Sequence, residues 1–261
     1  MSSTEWVVLE EDSGKTYLVE MVDEMSKMKG LGVFNPSAEL SGKVVGEKVT
    51  IGQKVLTKLS PRLPEIYRSM KRRAQTISPK DAGILITRLG IGPGDVVVEA
   101  GLGSGGLSLH IARVLGDSGT LITVETRDEH AEVGLENLAN AKDCLREFPT
   151  HYHLSGDIAE LTNEISQLTA RVDAIILDLP DHGPAINAIA KSLLDGGRLA
   201  CYCPVTSQIE KAWEACENND LTVEWAGELM ERQWGRASKG GIRPVNGPFG
   251  HTAFLLIAHK R

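Results

Sequence analysis

The residues best suited to chemistry fall in one short segment, 99–106, where a glutamate is followed by four closely spaced glycines. Glycine allows a sharp backbone turn and lets a ligand come close to the main chain. The segment directly follows a β-branched run at 95–100 and directly precedes an apolar helical pattern that starts at Leu107. We therefore expect a ligand-binding turn between a strand and a helix.

Two ligand classes match the glycine spacing. Gly101, Gly103 and Gly106 give the GxGxxG pattern of dinucleotide sites. Glu99, together with Gly101, Gly103 and Gly105, gives the ExGxGxG signature of S-adenosylmethionine-dependent methyltransferases. A turn that serves only tight packing is a third interpretation, so the glycines alone decide nothing.

Carboxylates at three successive strand ends favour a cationic nucleoside over a dinucleotide. Glu125 ends the next strand, where it can accept hydrogen bonds from ribose hydroxyls in either class. Glu99 can receive an ammonium group but would repel a pyrophosphate. Asp157 follows the third strand, where it can accept from an adenine amino group, or equally cap a helix that starts at Ile158. We favour the methyltransferase interpretation.

A fourth strand end supplies the candidate reacting group. Asp178 begins the sequence DLPD after an apolar run at 172–178. Ligands of open α/β sheets bind at the carboxyl edge of the strands, so Asp178 should lie near the methyl sulfonium. The sequence differs from the DPPY form of exocyclic-amine methyltransferases, because no aromatic residue follows. The alternative is that Asp178 only caps the next helix.

These residues require parallel strands that alternate with helices, and the chain supplies that pattern from about residue 74 onward. The clearest helix start is Ser78 followed by Pro79, a capping residue and a first-position proline. The pattern predicts a doubly wound, Rossmann-like α/β sheet. The expected strands of this sheet are 95–100, 120–125, 151–154, 172–178, 198–203, 222–230 and a final strand at 252–259.

The first sixty residues differ, and we expect residues 1–60 to form a small N-terminal β domain before a methyltransferase domain at 61–261. Short β-rich pieces are separated there by Gly, Asp and Pro. They lie at 6–9, 16–21, 43–45 and 48–51. Residues 44–49 should form a tight hairpin that turns at Gly46. A frayed N-terminal arm is the alternative.

Composition limits the possible classes. The chain has 261 residues, with 28 Lys and Arg against 35 Asp and Glu, and its net charge of −7 excludes a uniformly basic nucleic-acid coat. A local basic patch is still possible. The N-terminus lacks the basic and apolar parts of a signal peptide, and no stretch approaches the ~18 apolar residues of a membrane span. We expect a soluble, cytoplasmic protein that contacts no membrane.

No metal site is expected. The four cysteines show neither paired metal-ligand spacing nor a disulfide framework. Cys201 and Cys203 are expected to face opposite sides of one strand, as small core residues. His151 and His153 have no third ligand nearby in the sequence and are expected to be solvated at a strand edge.

Five co-linear motifs between about residue 60 and the end resemble TrmI-type tRNA (adenine-N1)-methyltransferases. They are RAQTISPKD at 73–81, EAGLGSGGL at 99–107, TVETR at 123–127, YCPVTSQ at 202–208, and RP at 243–244 with GHTAFL at 250–255. The last motif lies outside the generic methyltransferase core, so the set is more specific than the glycine turn. Ser78 departs from the family's Tyr, and His182 stands where many members have a bulky aromatic.

The resemblance implies a homotetramer that methylates N1 of adenosine 58 in the tRNA T loop, with position 57 left open. Asp178 would face both the methyl donor and the target adenine, and Tyr202 would line the adenine pocket. The expected S-adenosylmethionine-binding residues, from the resemblance and the strand-end reasoning together, are Gln75, Ile77, Glu99, Gly101, Leu102, Gly103, Ser104, Gly105, Gly106, Glu125, His130, Asp157, Ile158 and Asp178.

The chemistry of adenine N1 agrees with this site. N1 has a free lone pair, so the reaction needs no general base. Methylation makes the ring positive, and a carboxylate such as Asp178 that accepts from the N6 amino group stabilises that charge. The remaining catalysis is positioning. Because pairing and stacking hide N1 in folded tRNA, we expect the base to be extruded.

Two local clusters of cations could bind tRNA. Residues 62–73 hold five cations and one acid, and residues 232–261 hold six cations and no acid. The cations are Arg62, Arg68, Lys71, Arg72, Arg73, Arg232, Arg236, Lys239, Arg243, Lys260 and Arg261. Trp234 adds a stacking surface. The expected tRNA contacts are Arg72, Arg73, Trp234, Arg236 and Arg243; an ordinary solvated surface is the alternative.

Two other functions stay open. A protein or small-molecule methyltransferase, such as an isoaspartate repair enzyme, would leave the basic clusters and the terminal motif unexplained. A non-catalytic tRNA-binding subunit would have no need of Gly103, Glu125, Asp157 and Asp178.

Overall fold

The computed structural model describes residues 5–238, 240–245 and 250–261. Its N-terminal elements are β1 (Trp6–Glu10), β2 (Thr16–Glu20), β3 (Ser26–Met28), β4 (Gly32–Phe34), α1 (Pro36–Leu40), β5 (Lys48–Ile51) and β6 (Lys54–Leu59). Four strands form an antiparallel sheet in the order β2-β1-β6-β5, and β3 pairs with β4 as a separate hairpin. Leu9, Leu40 and Leu56 are buried in a hydrophobic core within this region.

The expected hairpin at 44–49 is wrong in one respect. Gly46 does turn the chain, with φ of 92°, and the turn closes as Glu47 N donates to Val44 O at 3.1 Å. Residues 43–45 are not a strand, however. The hairpin lies further along the chain, where β5 pairs with β6 through a turn that includes Gly52. The sequence analysis had placed no strand at β6.

From residue 63 onward helices and strands alternate. The elements are α2 (Leu63–Ser69), α3 (Pro79–Leu89), β7 (Val96–Ala100), α4 (Gly106–Leu115), β8 (Thr120–Glu125), α5 (Asp128–Cys144), β9 (Thr150–Ser155), α6 (Thr162–Leu168), β10 (Val172–Leu177), α7 (Gly183–Ile189), β11 (Leu193–Cys203), α8 (Thr206–Glu217), β12 (Leu221–Gly227), β13 (Trp234–Arg236), β14 (Ile242–Pro244) and β15 (Phe254–Lys260).

The predicted doubly wound sheet is confirmed. Seven strands pair in the order β12-β15-β11-β10-β7-β8-β9. The five strands from β11 to β9 are parallel, whereas β15 is antiparallel to both of its neighbours. The carboxyl ends of β7, β8, β9 and β10 therefore meet at one edge of the sheet. We call this the ligand edge.

Helices cover both faces of the sheet. On one face Leu85 of α3 and Ile111 of α4 pack against Val97, and on the other Ile186 of α7 lies in one cluster with Val98. Neighbouring residues of β7 are thus buried on opposite sides, as parallel strands covered by helices require. No helix in the described ranges has the length and apolar character needed to cross a bilayer.

The start of α3 is fixed by side chains, as expected. Ser78 Oγ accepts from Asp81 N at 3.4 Å and donates to Asp81 Oδ2 at 3.0 Å, and Pro79 occupies the first turn. Asp81 is fully buried, and its other oxygen lies 2.6 Å from Lys80 Nζ. This part-buried ion pair lies within the first turn of α3, directly after the 73–77 segment.

Two expectations about strand side chains are wrong. Cys201 and Cys203 share one face of β11, because side chains alternate with a period of two, and both are buried in the same cluster. His151 and His153 are half-buried rather than solvated, and both hydrogen-bond to Thr123 Oγ1, at 2.9 and 3.1 Å. Burial lowers the pKa of His151 to about 4.

Candidate active site

The glycine turn joins β7 to α4, and its backbone requires glycine. Gly101, Gly103 and Gly105 have φ values of 94°, 53° and 77°, which residues with a Cβ seldom adopt. A Cβ on Gly101 would stand 2.2 Å from the carbonyl oxygen of Asp178. The ends of β7 and β10 therefore approach each other at a distance that only glycine permits.

Two cavities open at the ligand edge, one on each side of this contact. The first, of about 250 Å³, lies between the glycine turn and the 74–77 segment. The second, of about 500 Å³, lies between the ends of β8, β9 and β10. Gly101, Arg127 and Asp178 line both cavities.

Most of the expected cofactor residues come together around these cavities. The first cavity is lined by Gln75, Ile77, Glu99, Gly101, Leu102, Gly103, Ser104, Gly106 and Asp178. The second is lined by Gly101, Glu125, Asp157, Ile158 and Asp178.

Three of the expected cofactor-binding and catalytic residues line neither cavity in the described part of the chain. Gly105 packs against α5, where a Cβ would lie 3.2 Å from Gly134 O. His130 is half-buried in the first turn of α5, and its buried Nδ1 has no hydrogen-bond partner among the described residues. Tyr202 is 7% exposed, within the core between the sheet and α3, and burial raises the pKa of its hydroxyl to about 12.

Glu99 is a buried acid in the wall of the first cavity. Its side chain is 2% exposed, and its Oε2 accepts from Ser108 Oγ at 2.6 Å. Burial raises the pKa of Glu99 to about 8; the Ser108 hydrogen bond opposes this shift and the charge of Asp178 adds to it. A cation in the cavity would offset the cost of ionising Glu99.

Asp178 lies between the two cavities and is otherwise enclosed by protein. Burial and the negative charge of Glu125 raise the pKa of Asp178 to about 6, against the opposing charge of Arg127. The alternative that Asp178 caps the next helix is wrong. That helix, α7, begins at Gly183, and Gly183 N donates instead to Asp181 Oδ1 at 3.3 Å.

Glu125 is held as an anion at the end of β8. Its Oε2 accepts from Gly103 N at 2.9 Å, and its Oε1 accepts from Arg127 N and Nε, each at 3.2 Å. Burial opposes ionisation, but these hydrogen bonds hold the pKa of Glu125 below its usual value. The carboxylate thus links the glycine turn to the second cavity.

Asp157 stabilises a turn rather than a helix. Its Oδ1 accepts from Ala159 N at 2.9 Å, and the next helix, α6, begins only at Thr162. The capping interpretation was therefore right about the hydrogen bond and wrong about a helix at Ile158. The turn keeps Asp157 in the wall of the second cavity.

Comparison with known proteins identifies the family. The family described as "tRNA methyltransferase complex GCD14 subunit" matches residues 57–239. The chain belongs to this family. TrmI of Methanocaldococcus jannaschii, named tRNA (adenine(57)-N(1)/adenine(58)-N(1))-methyltransferase, is 31% identical over 222 residues, which cover 77% of each chain. A TrmI of Thermus thermophilus, named for adenine 58 alone, is 34% identical over 204 residues, 77% of this chain and 75% of that one.

Solved structures confirm the methyltransferase fold. A SAM-dependent O-methyltransferase from Thermotoga maritima superposes with a TM-score of 0.79 at 26% identity, over 100% of this chain and 94% of that one. The tRNA (m1A58) methyltransferase TrmI of Aquifex aeolicus gives a TM-score of 0.74 at 22% identity, over 100% and 98% of the two chains. The protein is thus an enzyme with the fold of S-adenosylmethionine-dependent methyltransferases.

Two side chains of this methyltransferase that were not among the expected site residues also shape the cavities. Gln208 Nε2 donates to Pro180 O at 3.0 Å, and its Oε1 accepts from Val205 N at 3.2 Å, so it joins the loops after β10 and β11. Arg127 lines both cavities. Both residues lie in motifs that the sequence analysis quoted, and that position was the available signal.

The first basic cluster of the methyltransferase lies beside the glycine turn. Arg72 and Arg73 are exposed, and Arg73 N donates to Ser104 Oγ of the turn at 3.0 Å. Within the same cluster, Arg68 and Lys71 form ion pairs with nearby glutamates. The pair Arg72 and Arg73 is therefore the part of this cluster best placed to meet an anionic substrate.

The second basic cluster is divided between two edges of the sheet, contrary to expectation. Trp234, Arg236 and Arg243 are exposed on the β13–β14 hairpin, which leaves the sheet at the ligand edge, between β12 and β15. Lys260 ends β15 at the opposite edge, where its Nζ donates to Leu193 O at 2.7 Å. Arg261 follows it there, and Lys239 lies outside the described residues.

Replacing Gly101 by Ala should abolish cofactor binding, because the new Cβ would collide with the Asp178 carbonyl. The matched control is Gly94→Ala. Gly94 also has a positive φ, 88°, but a Cβ placed there would have nothing within 4 Å. The control should lose about 1 kcal/mol of stability and still bind S-adenosylhomocysteine in a calorimetric titration. Equal binding by both variants would contradict the role of the close approach.

In the cofactor-free protein, Glu99→Gln should become more stable relative to wild type as the pH rises to about 8. Because the folded-state pKa of Glu99 is about 8, the native state holds a proton that the unfolded chain has released above about pH 4.5. The contribution of Glu99 to the wild-type free energy of unfolding therefore falls between about pH 4.5 and about pH 8. The variant, which has no carboxyl at this position, does not show this fall. Urea unfolding at about pH 6.5 and pH 8, above most histidine titration, measures the difference.

The matched control is Glu132→Gln, an exposed position on α5. It should follow the wild-type dependence on pH. Parallel curves for wild type and Glu99→Gln would show that the carboxyl of Glu99 is not held protonated by the fold.

Proposed function

We propose that this enzyme transfers a methyl group from S-adenosylmethionine to N1 of adenosine 58 in the T loop of tRNA. The observation that carries the proposal is the pair of cavities that meet at Asp178, in a chain of the tRNA methyltransferase family. Relatives of similar length are named for this reaction. Modification of position 57, which the M. jannaschii name includes, is an outcome of the test below.

The two cavities fit S-adenosylmethionine. Glu99 is a buried carboxyl beside the first cavity, suited to the methionine ammonium, and Glu125 presents a fixed anion for the ribose hydroxyls. Asp157 and Ile158 lie where the adenine would be held. Because Gly101 has no side chain, its main chain is open to direct contact with a ligand in the cavities. When bound, the cofactor supplies an electrophilic methyl group on a cationic sulfur.

Asp178 is the residue we assign to catalysis. N1 attacks the methyl carbon with its lone pair, the N1–C bond forms, and the carbon–sulfur bond breaks with its electrons passing to sulfur. The adenine ring becomes positive, and the Asp178 carboxylate stabilises it by accepting from the N6 amino group. No proton has to be removed from N1. The role of Tyr202 in the adenine pocket stays a prediction.

The exposed cations at the ligand edge suit a tRNA backbone. Arg72 and Arg73 stand beside the glycine turn. On the hairpin Arg236 shares a face with the exposed Trp234, and Arg243, which pairs with Gly235, lies on the other face. Phosphate contacts fix the register of a nucleic acid, and an aromatic ring can stack on an unpaired base. The target base would be extruded from the T loop to reach Asp178.

The proposal includes the assembly and location of the enzyme. We propose a homotetramer that works in the cytoplasm, with residues 1–60 as a separate β domain and no metal in the reaction. The hairpin region supports an assembly role, since the apolar side chains of Ile242 and Val245 are 74% and 55% exposed. Apolar side chains grouped in this way are typical of protein contacts.

Methyl transfer to oxygen is the second candidate, because the T. maritima structure is that of an O-methyltransferase. An oxygen nucleophile would have to lose a proton. Asp178, whose pKa is about 6, could accept that proton. The basic surface would then have no role.

The deciding experiment incubates the enzyme with labelled S-adenosylmethionine and an unmodified tRNA transcript, followed by nucleoside analysis. We expect 1-methyladenosine in the T loop. A transcript with guanosine at position 58 is the matched control and should take up no label, unless position 57 is also modified. Label in a small molecule or protein, with none in tRNA, would overturn the proposal.

Replacing Asp178 by Asn should lower the single-turnover rate about 10²- to 10³-fold, the scale of one lost electrostatic stabiliser. S-adenosylhomocysteine binding should persist. The wild-type rate should rise with pH through about 6, since the carboxylate form of Asp178 is the active one. The variant should lack this rise.

Asp181→Asn is the matched control, because it lies on the same loop and its Oδ1 can still accept from Gly183 N. Its rate and its pH profile should stay close to wild type. A wild-type pH profile in Asp178→Asn would remove Asp178 from the mechanism.

Replacing Arg72 and Arg73 together by Ala should weaken tRNA binding at least about tenfold at physiological salt. The slope of log affinity against log salt should also fall by about one per lost phosphate contact. Filter binding at several salt concentrations measures both effects.

The control Lys191→Ala with Arg261→Ala removes the same charge from exposed positions at the opposite edge of the sheet. Its affinity and its salt slope should match wild type. Equal losses in the two double variants would mean that net charge, and not this surface, governs tRNA binding.

A further inference from the structure

The 71–77 segment forms part of two proposed binding surfaces. Gln75 and Ile77 line the first cavity, and Arg72 and Arg73 belong to the basic surface. The segment contains no helix or strand. Its position must therefore be set by contacts other than regular backbone hydrogen bonding.

Side chains from three elements hold this segment. In the described structure every hydrogen bond of its main chain is made to the side chain of Asn137, Ser104 or Tyr67. Ser104 Oγ accepts from Arg73 N and Ala74 N, each at 3.0 Å. Tyr67 O–H donates to the main chain near the other end of the segment.

Asn137 is central to this arrangement. It lies in α5, is 3% exposed, and lines no part of the first or second cavity as described. Its Oδ1 accepts from Lys71 N at 3.0 Å, and its Nδ2 donates to Lys71 O at 2.8 Å and to Ser104 O at 2.9 Å. One buried amide thus joins the start of the segment to the glycine turn.

We propose that Asn137 is a positioning residue for methyl transfer, which preorganises the 71–77 segment for both the cofactor and tRNA. The inference rests on the proposed function, because it assigns the first cavity to S-adenosylmethionine and the Arg72–Arg73 pair to tRNA. Without the Asn137 bridge, whichever ligand binds first must order the segment. The second ligand then binds a segment that is already ordered, so cooperativity appears that the wild type lacks.

The test variant is Asn137→Asp, which keeps the size and shape of the side chain. A carboxylate can still accept from Lys71 N, but its second oxygen would face the carbonyl oxygens of Lys71 and Ser104. We measure the affinity for S-adenosylhomocysteine by calorimetry, and the affinity for unmodified tRNA with and without saturating S-adenosylhomocysteine.

In wild type, S-adenosylhomocysteine should change tRNA affinity less than about threefold. In Asn137→Asp each ligand alone should bind about tenfold more weakly, the scale of one or two lost hydrogen bonds. Saturating S-adenosylhomocysteine should restore most of the tRNA affinity, and tRNA should restore S-adenosylhomocysteine affinity by the same factor. A general loss of stability would not create this reciprocal coupling.

Leu138→Ala is the matched structural control. Leu138 is the next residue of α5, is 2% exposed, and packs in the hydrophobic cluster that includes Leu109. The variant should have a lower Tm, with both affinities near wild type and no coupling. Coupling of the same size in Leu138→Ala would overturn the proposal, as would wild-type behaviour in Asn137→Asp.

Ser104→Ala provides a second route if Asn137→Asp does not fold. It removes the hydroxyl that accepts from Arg73 N and Ala74 N, so it frees the middle of the same segment while the Asn137 hydrogen bonds to Lys71 and to the Ser104 main chain remain. Cooperativity should appear here too, and its absence would overturn the proposal. Wild-type protein that binds neither S-adenosylhomocysteine nor tRNA would overturn the proposed function itself, and the inference with it.

Discussion

The contact between Gly101 and the Asp178 carbonyl is the constraint on which the site depends. It brings the ends of two adjacent parallel strands so close that a single methyl group would separate them. The contact divides the ligand edge into two cavities and leaves Asp178 as the acid common to both. Asp178 is the first residue after β10, so this contact fixes its position. The sheet therefore sets the distance from the Asp178 side chain to a ligand in either cavity.

The carboxylates around this contact are held in different electrostatic states. Glu125 receives main-chain and guanidinium hydrogen bonds and is stabilised as an anion. Glu99 and Asp178 are short of such donors, and burial raises the pKa of each, to about 8 and about 6. Two acids that the empty protein disfavours in their charged forms make the site selective for a ligand that brings positive charge. Keeping these two acids buried thus lowers the stability of the ligand-free fold, and the same burial favours binding of a cationic ligand.

The sequence was sufficient to predict most of this architecture. β-Branched runs predicted β7, β8, β9 and β10 within one residue at each end, and the glycine turn and strand-end acids located the ligand edge. The prediction was less accurate for β11, which begins five residues before the expected start at residue 198, and for β12, which ends three residues before the expected end at residue 230. The sequence did not predict β6, because residues 54–59 (KVLTKL) lack the strict polar–apolar alternation of a half-buried strand and Gly52 is the single turn signal directly before them. Tyr202, which the resemblance assigns to the adenine pocket, is buried in the core beside α3, and its role there stays a prediction.

What local pattern could not supply was contact between distant segments. Asn137 lies 66 residues from Lys71 in the chain. Its spacing from Gly134 and Ala141 places it on the buried face of α5 but does not show which distant groups it bonds. The division of the second basic cluster is similar. Only the antiparallel pairing of β15 shows that Lys260 leaves the sheet at the far edge from Arg243.

The reversed direction of β15 has a consequence for how this enzyme can diversify. A parallel last strand would need a crossover helix packed against the sheet, and every change there would disturb the core. Here the chain leaves β12 and returns to β15 on the same side of the sheet, so the β13–β14 hairpin between them lies at the ligand edge without a crossover helix. Leu229 and Ala253, at the two ends of the stretch between β12 and β15, pack in the core beside α3, so we expect only the exposed β13–β14 hairpin to vary without disturbing the scaffold. Substrate choice can therefore evolve independently of the chemistry.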